Sequence, residues 1–240
     1  MGVIIEQTDA VFKTASVLNT ASVSVYNRRR QLMQKVIPLE PSKYYHIYDR
    51  GNNRENIFFE ERNYHYFMKL YAKYIEPVAE TFAYCLMRNH FHLLVRIKTH
   101  KTDAVFKTAS VSETASVLTA REVSHEFNNL LNSYAKSINK AYQRTGALFQ
   151  SHFGRIEVTS DRYFLALINY IHRNPQKHKF VDDFRDYPYS SYHAILSTKP
   201  THVKREEVLE WFGNKMRFEE FHQSSTDTKP IEFLIEDDGD

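Results

Sequence analysis

The sequence predicts an α+β fold, a ferredoxin-like sandwich in which helices pack on an antiparallel sheet. Three observations predict it. Short runs of strand character alternate with longer runs of helical spacing, in the order strand, helix, strand, strand, helix, strand, helix. The two middle strands are separated only by Arg88 and Asn89, a connection tight enough for a hairpin. The 240 residues are 42% hydrophobic and 14% aromatic, which supplies a core for one large domain or one domain with extensions.

The chain opens with an extension, residues 1–40, that carries a low-complexity segment. Thr8–Val17 reads TDAVFKTASV, and the same ten residues recur at Thr102–Val111. TASV follows each copy, at Thr20–Val23 and Thr114–Val117. Identical copies 94 residues apart are unlike solenoid units, which are adjacent and degenerate. They read as appendages gained twice, by expansion of a DNA repeat, or else as a matched pair of docking segments. The second copy makes 102–120 an insertion within a domain spanning 41–198.

That domain begins with a strand, Tyr44–Tyr48, in which Tyr45 and Ile47 alternate against Tyr44, His46 and Tyr48. Asp49–Arg54 follows as a turn whose Arg50 and Arg54 suit phosphate contacts. A helix is expected over Glu61–Ile75, with Tyr64, Phe67, Tyr71 and Tyr74 at helical spacing and Pro77 as its stop. The second strand is Glu80–Met87. The third covers Phe91–Ile97 and starts near His90. Alternation puts His90 and His92 on one exposed face, and Phe91, Leu93 and Val95 on a face for helices to cover. Two imidazoles two residues apart can hold one divalent ion, or they are ordinary half-buried histidines.

Arg121–Tyr142 is the next helix, with an apolar stripe of Phe127, Leu131, Tyr134, Ile138 and Ala141. Lys136, Lys140 and Arg144 repeat every four residues along one side, as a phosphate-tracking face or a solvated one. Leu148–Val158 is a strand carrying Arg155. Ser160 or Asp161 caps a last core helix from Arg162 to about Asn174, where Pro175 follows. Tyr170 and Asn174 lie four apart, one above the other on its rim, able to face the histidine strand. Residues 199–240 form a short helix, Glu206–Phe212, and an acidic tail expected to be loosely ordered.

Charge narrows the partner. From Glu219 to Asp240 there are eight acids and one lysine, a net of −7, so the rest carries +10 against a total of +3. A basic body favours a polyanion, and 16 Tyr and 17 Phe suit stacking on bases as well as a core. The single cysteine, Cys85, excludes an internal disulfide and a cysteine-rich zinc site. No run approaches the ~18 apolar residues of a membrane span. The N-terminus has no signal pattern, so the expected location is cytoplasmic.

Three stretches together, Tyr44–Gly51 (YYHIYDRG), Tyr84–Val95 (YCLMRNHFHLLV) and Tyr170–Pro175 (YIHRNP), resemble the HUH single-tyrosine transposases, in particular the branch of REP-associated tyrosine transposases. The likeness spans roughly Tyr44 to Tyr192. It implies metal ligands at His90, His92 and Asn174, with Mg²⁺ or Mn²⁺ as the ion. It implies a nucleophile at Tyr170 and a 5′-phosphotyrosine intermediate in the cutting and rejoining of single-stranded DNA, at hairpins. Arg50, Arg54, Lys136, Lys140 and Arg155 are the expected DNA contacts. The family contains both dimers and monomers, so a homodimer is open. The competing readings are a hairpin-binding regulator without chemistry, an initiator of the wider HUH class, and a metallohydrolase that uses water.

Overall fold

The computed structural model describes residues 37–102, 117–150 and 152–224. Four strands, β1 (Tyr44–Arg50), β2 (Ala79–Met87), β3 (His90–Ile97) and β4 (Gly154–Val158), form one sheet in the order β2-β3-β1-β4. Every pairing is antiparallel, and Tyr48 lies opposite His92 on one side and Gly154 on the other. The fold is therefore the α+β sandwich that the sequence predicts.

Two helices cover one face, α1 (Glu61–Tyr74) and α2 (Ala120–Ala141). Each begins at a capping box, Glu60 with Asn63 and Thr119 with Glu122, which satisfies amides that the first turn leaves open. Phe67 of α1 meets Phe91 of β3 at 5.4 Å and Tyr134 of α2 at 5.2 Å. The other face is covered by α3 (Asp161–Lys177), capped by Ser160. Its Phe164, Leu167, Ile168 and Ile171 share a core with Phe82, Cys85 and Leu94. Beyond it lie α4 (Tyr192–Leu196), α5 (Arg205–Phe212) and α6 (Lys215–Gln223). Phe212 and Phe218 join the same core.

The connection from β3 to α2 leaves and returns through a neck: Leu118 N donates to Thr99 O at 2.9 Å, and His100 bridges Val117. The bodies of both TDAVFKTASV copies lie outside the described residues, as do residues 225–240.

Four expectations are corrected. The histidine face is not exposed: α3 lies on it, leaving His90 2% and His92 1% accessible. The last strand starts at Gly154 rather than Leu148. The preceding segment instead runs past the end of β1, with Asn52 N donating to Leu148 O and Gly51 bridging Phe149. The last core helix does not stop before Pro175 but continues to Lys177. Proline loses one amide bond and fixes φ near a helical value, so a single one in the last turn removes one rung of the ladder without ending it. Finally, the start of the tail is not loose, because Phe218 and His222, four apart, are buried and anchor α6.

Candidate functional site

Alternation along β1 and β3 sends His46, Tyr48 and Arg50 to the same face as His90 and His92. On the facing helix, Tyr170 and Asn174 are one turn apart and both point at this surface. The Tyr170 ring lies 5.5 Å from His92 and 6.4 Å from His46, edge to face in both cases. Asn174 Oδ1 is 3.2 Å from His90 Nε2. The structure thus brings four sequence-predicted residues, His90, His92, Tyr170 and Asn174, into one buried cluster.

Each imidazole of the pair is held through its Nδ1. His90 Nδ1 meets Asn89 Oδ1 at 2.7 Å, and His92 Nδ1 meets His46 Nε2 at 2.9 Å. That arrangement leaves Nε2 of His90 against Asn174 on α3 and Nε2 of His92 as its other ring nitrogen, and a partner on the far nitrogen is how ligating histidines are usually held. An amide oxygen accepts, so His90 Nδ1 carries a proton toward Asn89 and a neutral His90 has its lone pair on Nε2. The lone pairs of His90 Nε2 and Asn174 Oδ1 then face each other across 3.2 Å. Adjacent ligands in octahedral Mg²⁺ coordination are ~3.0 Å apart, from bonds of ~2.1 Å. Asn174 Nδ2 is buried without a hydrogen-bond partner, so the amide is oriented by no other contact through that atom. Burial, then the charges of His46, His90, His178 and Arg50, hold the His92 pKa well below the usual imidazole value, which keeps it neutral as a ligand must be. Two imidazole nitrogens and one amide oxygen are donors that could hold a divalent ion, the oxygen alone favouring a hard one. Among the described residues no three His, Cys, Asp or Glu side chains converge as a closed metal cage. An ion here would draw further ligands from phosphate and water, as Mg²⁺ commonly does.

The predicted basic residues do not gather at one place. Arg50 lies opposite His90 in the ladder, on the histidine face. Arg54 is exposed in the short 3₁₀ turn after β1, with φ at +61°. Lys136 and Lys140 are exposed on α2, which covers the other face of the sheet. Arg155 pairs with Ile47, so it too faces α2. There it donates to Ser124 Oγ at 2.8 Å and sits 4.0 Å over the Phe153 ring.

Sequence reasoning missed several residues of the cluster. His46 stacks on His92 at 5.1 Å and lies 4.9 Å from Tyr48. His178, one turn beyond Asn174, has its ring 5.0 Å from His90. Lys177 Nζ is 5.3 Å from the Tyr170 ring centre. The signal for His46 was its place beside Tyr48 on one strand face; for His178 it was the four-residue step from Asn174. Gly154 belongs to the site as well. A Cβ there would come within 2.2 to 2.5 Å of the Tyr48 ring, so only glycine lets that ring lie across β4.

No family model matches the chain. A Haemophilus influenzae protein provisionally named a REP-associated tyrosine transposase is 28% identical over 138 residues, covering 56% of this chain and 68% of its own length. A solved structure of a REP-associated tyrosine transposase bound to a REP hairpin overlays with a TM-score of 0.48 and 14% identity, covering 69% of this chain and 87% of the other. The first of these bears out the resemblance carried by the three sequence stretches.

Proposed function

We propose that this relative of the REP-associated tyrosine transposases cuts and rejoins single-stranded DNA at hairpins, with Tyr170 as the attacking group. One observation carries the reading: Tyr170 packs on His92 while Asn174, one turn later, meets His90, so a single helix turn presents a phenol and an amide to a histidine pair. In the first step the Tyr170 oxygen bonds to the scissile phosphorus and the bond to the 3′ oxygen breaks. The products are a 5′-phosphotyrosine and a 3′-hydroxyl, with the phenol proton ending on the 3′ oxygen. One phosphodiester replaces another, so the reverse attack by a 3′-hydroxyl joins strands.

His90, His92 and Asn174 would hold the ion. A bound Mg²⁺ or Mn²⁺ would neutralise charge on the scissile phosphate as the bond changes. His46 and Asn89 orient the two imidazoles. Arg50, on the same face, and Lys177, beside the Tyr170 ring, would meet backbone phosphates in this reading. Arg54 is exposed in the turn after β1. Lys136 and Lys140 lie on the far layer and would serve a longer DNA path. Arg155 is engaged with Ser124 and Phe153 and is the weakest of the proposed contacts. A cytoplasmic location follows from the same reading.

A second reading has its own support. Tyr170 is only 2% accessible, a covered position for a group that must meet a phosphate. A sealed site suits a hairpin-binding regulator that performs no chemistry. The deciding experiment mixes the full chain with end-labelled, hairpin-bearing single-stranded DNA from the flanks of its own gene, plus Mg²⁺ or Mn²⁺, and runs a denaturing gel. A slow band that needs metal and vanishes in Tyr170→Phe supports the transesterase. Binding without metal and without that band, across several flanking substrates, supports the regulator.

A further inference from the structure

Outside this cluster α3 carries a buried histidine, His172, joined to a chain of hydrogen bonds that the proposed chemistry does not use. His222 Nδ1 meets Phe218 O at 2.8 Å, His222 Nε2 meets His172 Nδ1 at 2.9 Å, and His172 Nε2 meets Ser191 Oγ at 2.8 Å. Tyr84 N donates to Ser191 Oγ at 2.9 Å. The Phe218 carbonyl at one end sets the protons along neutral rings, and at the other end the Ser191 hydroxyl is nearer to His172 Nε2 than to the Tyr84 carbonyl at 3.3 Å. A carbonyl only accepts, so His222 donates from Nδ1 and accepts at Nε2. His172 therefore donates from Nδ1 and accepts at Nε2, and the Ser191 hydroxyl donates to it. Burial keeps both rings neutral, with His172 well below the usual value and His222 lowered to about 4. The relay is complete and uncharged, and it binds α6 and the turn before α4 to the middle of α3.

Its place on the helix gives it a use. At about 100° per residue, Asn174 lies about 40° round from Tyr170, and His172 lies about 200° round, directly behind the midpoint of the two. Arg173, on the flank, donates to His222 O at 2.6 Å. This turn also lacks one internal bond, because Pro175 has no amide hydrogen to give to Ile171 O. The stretch that presents Tyr170 and Asn174 is thus weakened along its own ladder and clamped from behind.

We infer that His172 and His222 are positioning residues that set the rotation of α3 and so the aim of Tyr170 and Asn174 at the histidine pair. This rests on the reading of Tyr170 as the attacking group. A rotation of about 10° moves a side-chain tip ~6 Å from the axis by ~1 Å. Displacements of that size can cost about 100-fold in rate.

The test uses the full chain with His222→Leu, which removes the acceptor, and His222→Gln, whose amide oxygen can still accept from His172. Two readouts are taken. The first is fluorine NMR of protein labelled with 3-fluorotyrosine, in which the Tyr170 signal is assigned by its loss in Tyr170→Phe. The second is the rate of covalent adduct formation beside the hairpin dissociation constant. The expected result is a moved or broadened Tyr170 signal in His222→Leu, an adduct rate lower by about 10- to 100-fold with hairpin affinity unchanged, and recovery of both in His222→Gln. A Tyr170 signal unmoved in folded His222→Leu overturns the inference, as does an unchanged adduct rate. If the parent forms no adduct, the proposed chemistry fails, and the fluorine signal still decides the relay by itself. If His222→Leu does not fold, Ser191→Ala breaks the relay at its other end and is judged by the same outcomes.

Discussion

Replacing His46 with phenylalanine isolates what the strand neighbour does for His92. The ring is kept, so the stack on His92 at 5.1 Å survives in outline and little cavity opens. What is lost is the ring nitrogen 2.9 Å from His92 Nδ1, which must accept if His92 is to keep its lone pair on Nε2 for an ion. A buried donor left unsatisfied costs ~1–3 kcal/mol. His92 can avoid that cost by moving its proton to Nε2, the atom that would bind the ion. Either way metal binding suffers, and loss of such a second partner typically costs about 10- to 100-fold in affinity. Those factors correspond to ~1.4–2.7 kcal/mol, the same range reached from the hydrogen bond alone. The assay is a Mn²⁺ titration in the Tyr170→Phe background, followed by paramagnetic resonance, so that no turnover is needed. A midpoint for Tyr170→Phe/His46→Phe within twofold of Tyr170→Phe alone would refute the assigned tautomer and the role of His46.

Asp49 is buried, and burial pushes its pKa up to about 8 from 3.8. The folded state therefore holds a proton that the unfolded chain releases, and stability falls as pH rises from about 4 to 8. Asp49→Asn should remove that slope, so its urea midpoint should gain on the parent between pH 5 and pH 8; a constant difference would contradict the burial. Gly154→Ala forces a Cβ into the Tyr48 ring and should cost ~1–3 kcal/mol in urea unfolding, with an unchanged midpoint showing that the ring yields freely. Cys85 is buried, with its thiol pKa raised well above normal by that burial; an Ellman-type reagent should modify it in urea and not in the native protein.

Much of the site was legible because it lies in short, regular segments. The apolar run behind His90 fixed β3 to within a residue, and a period of two then put His90 and His92 together. The four-residue step from Tyr170 to Asn174 needed only helical geometry. His46 and His178 carried only weak signals, a shared strand face with Tyr48 and a four-residue step from Asn174, and each meets the histidine pair only through the β1–β3 register and the approach of α3. The burial of the pair was misread for a related reason: sequence shows which face a side chain takes, not what later covers it. Composition hid α6, since Lys215–Gln223 is largely polar and its two anchors meet partners on α3 and α5. Lys136, Lys140 and Arg155 look like one basic set in the sequence, yet the two lysines sit on the helix layer away from Tyr170 and the Arg155 side chain leaves the sheet on that same far side.

The neck between β3 and α2 has an engineering consequence. Its two sides are already held together by the Thr99–Leu118 hydrogen bond and the His100–Val117 bridge. Whatever is strung between them pays only for closing a loop, and doubling that loop's length adds about 0.6 kcal/mol. Foreign sequence should be accepted there more readily than in the two-residue Arg88–Asn89 turn, where an added residue would shift the hairpin that carries His90. An epitope tag or a fluorescent domain spliced into 103–116 would report on the protein in cells while leaving the sheet register alone.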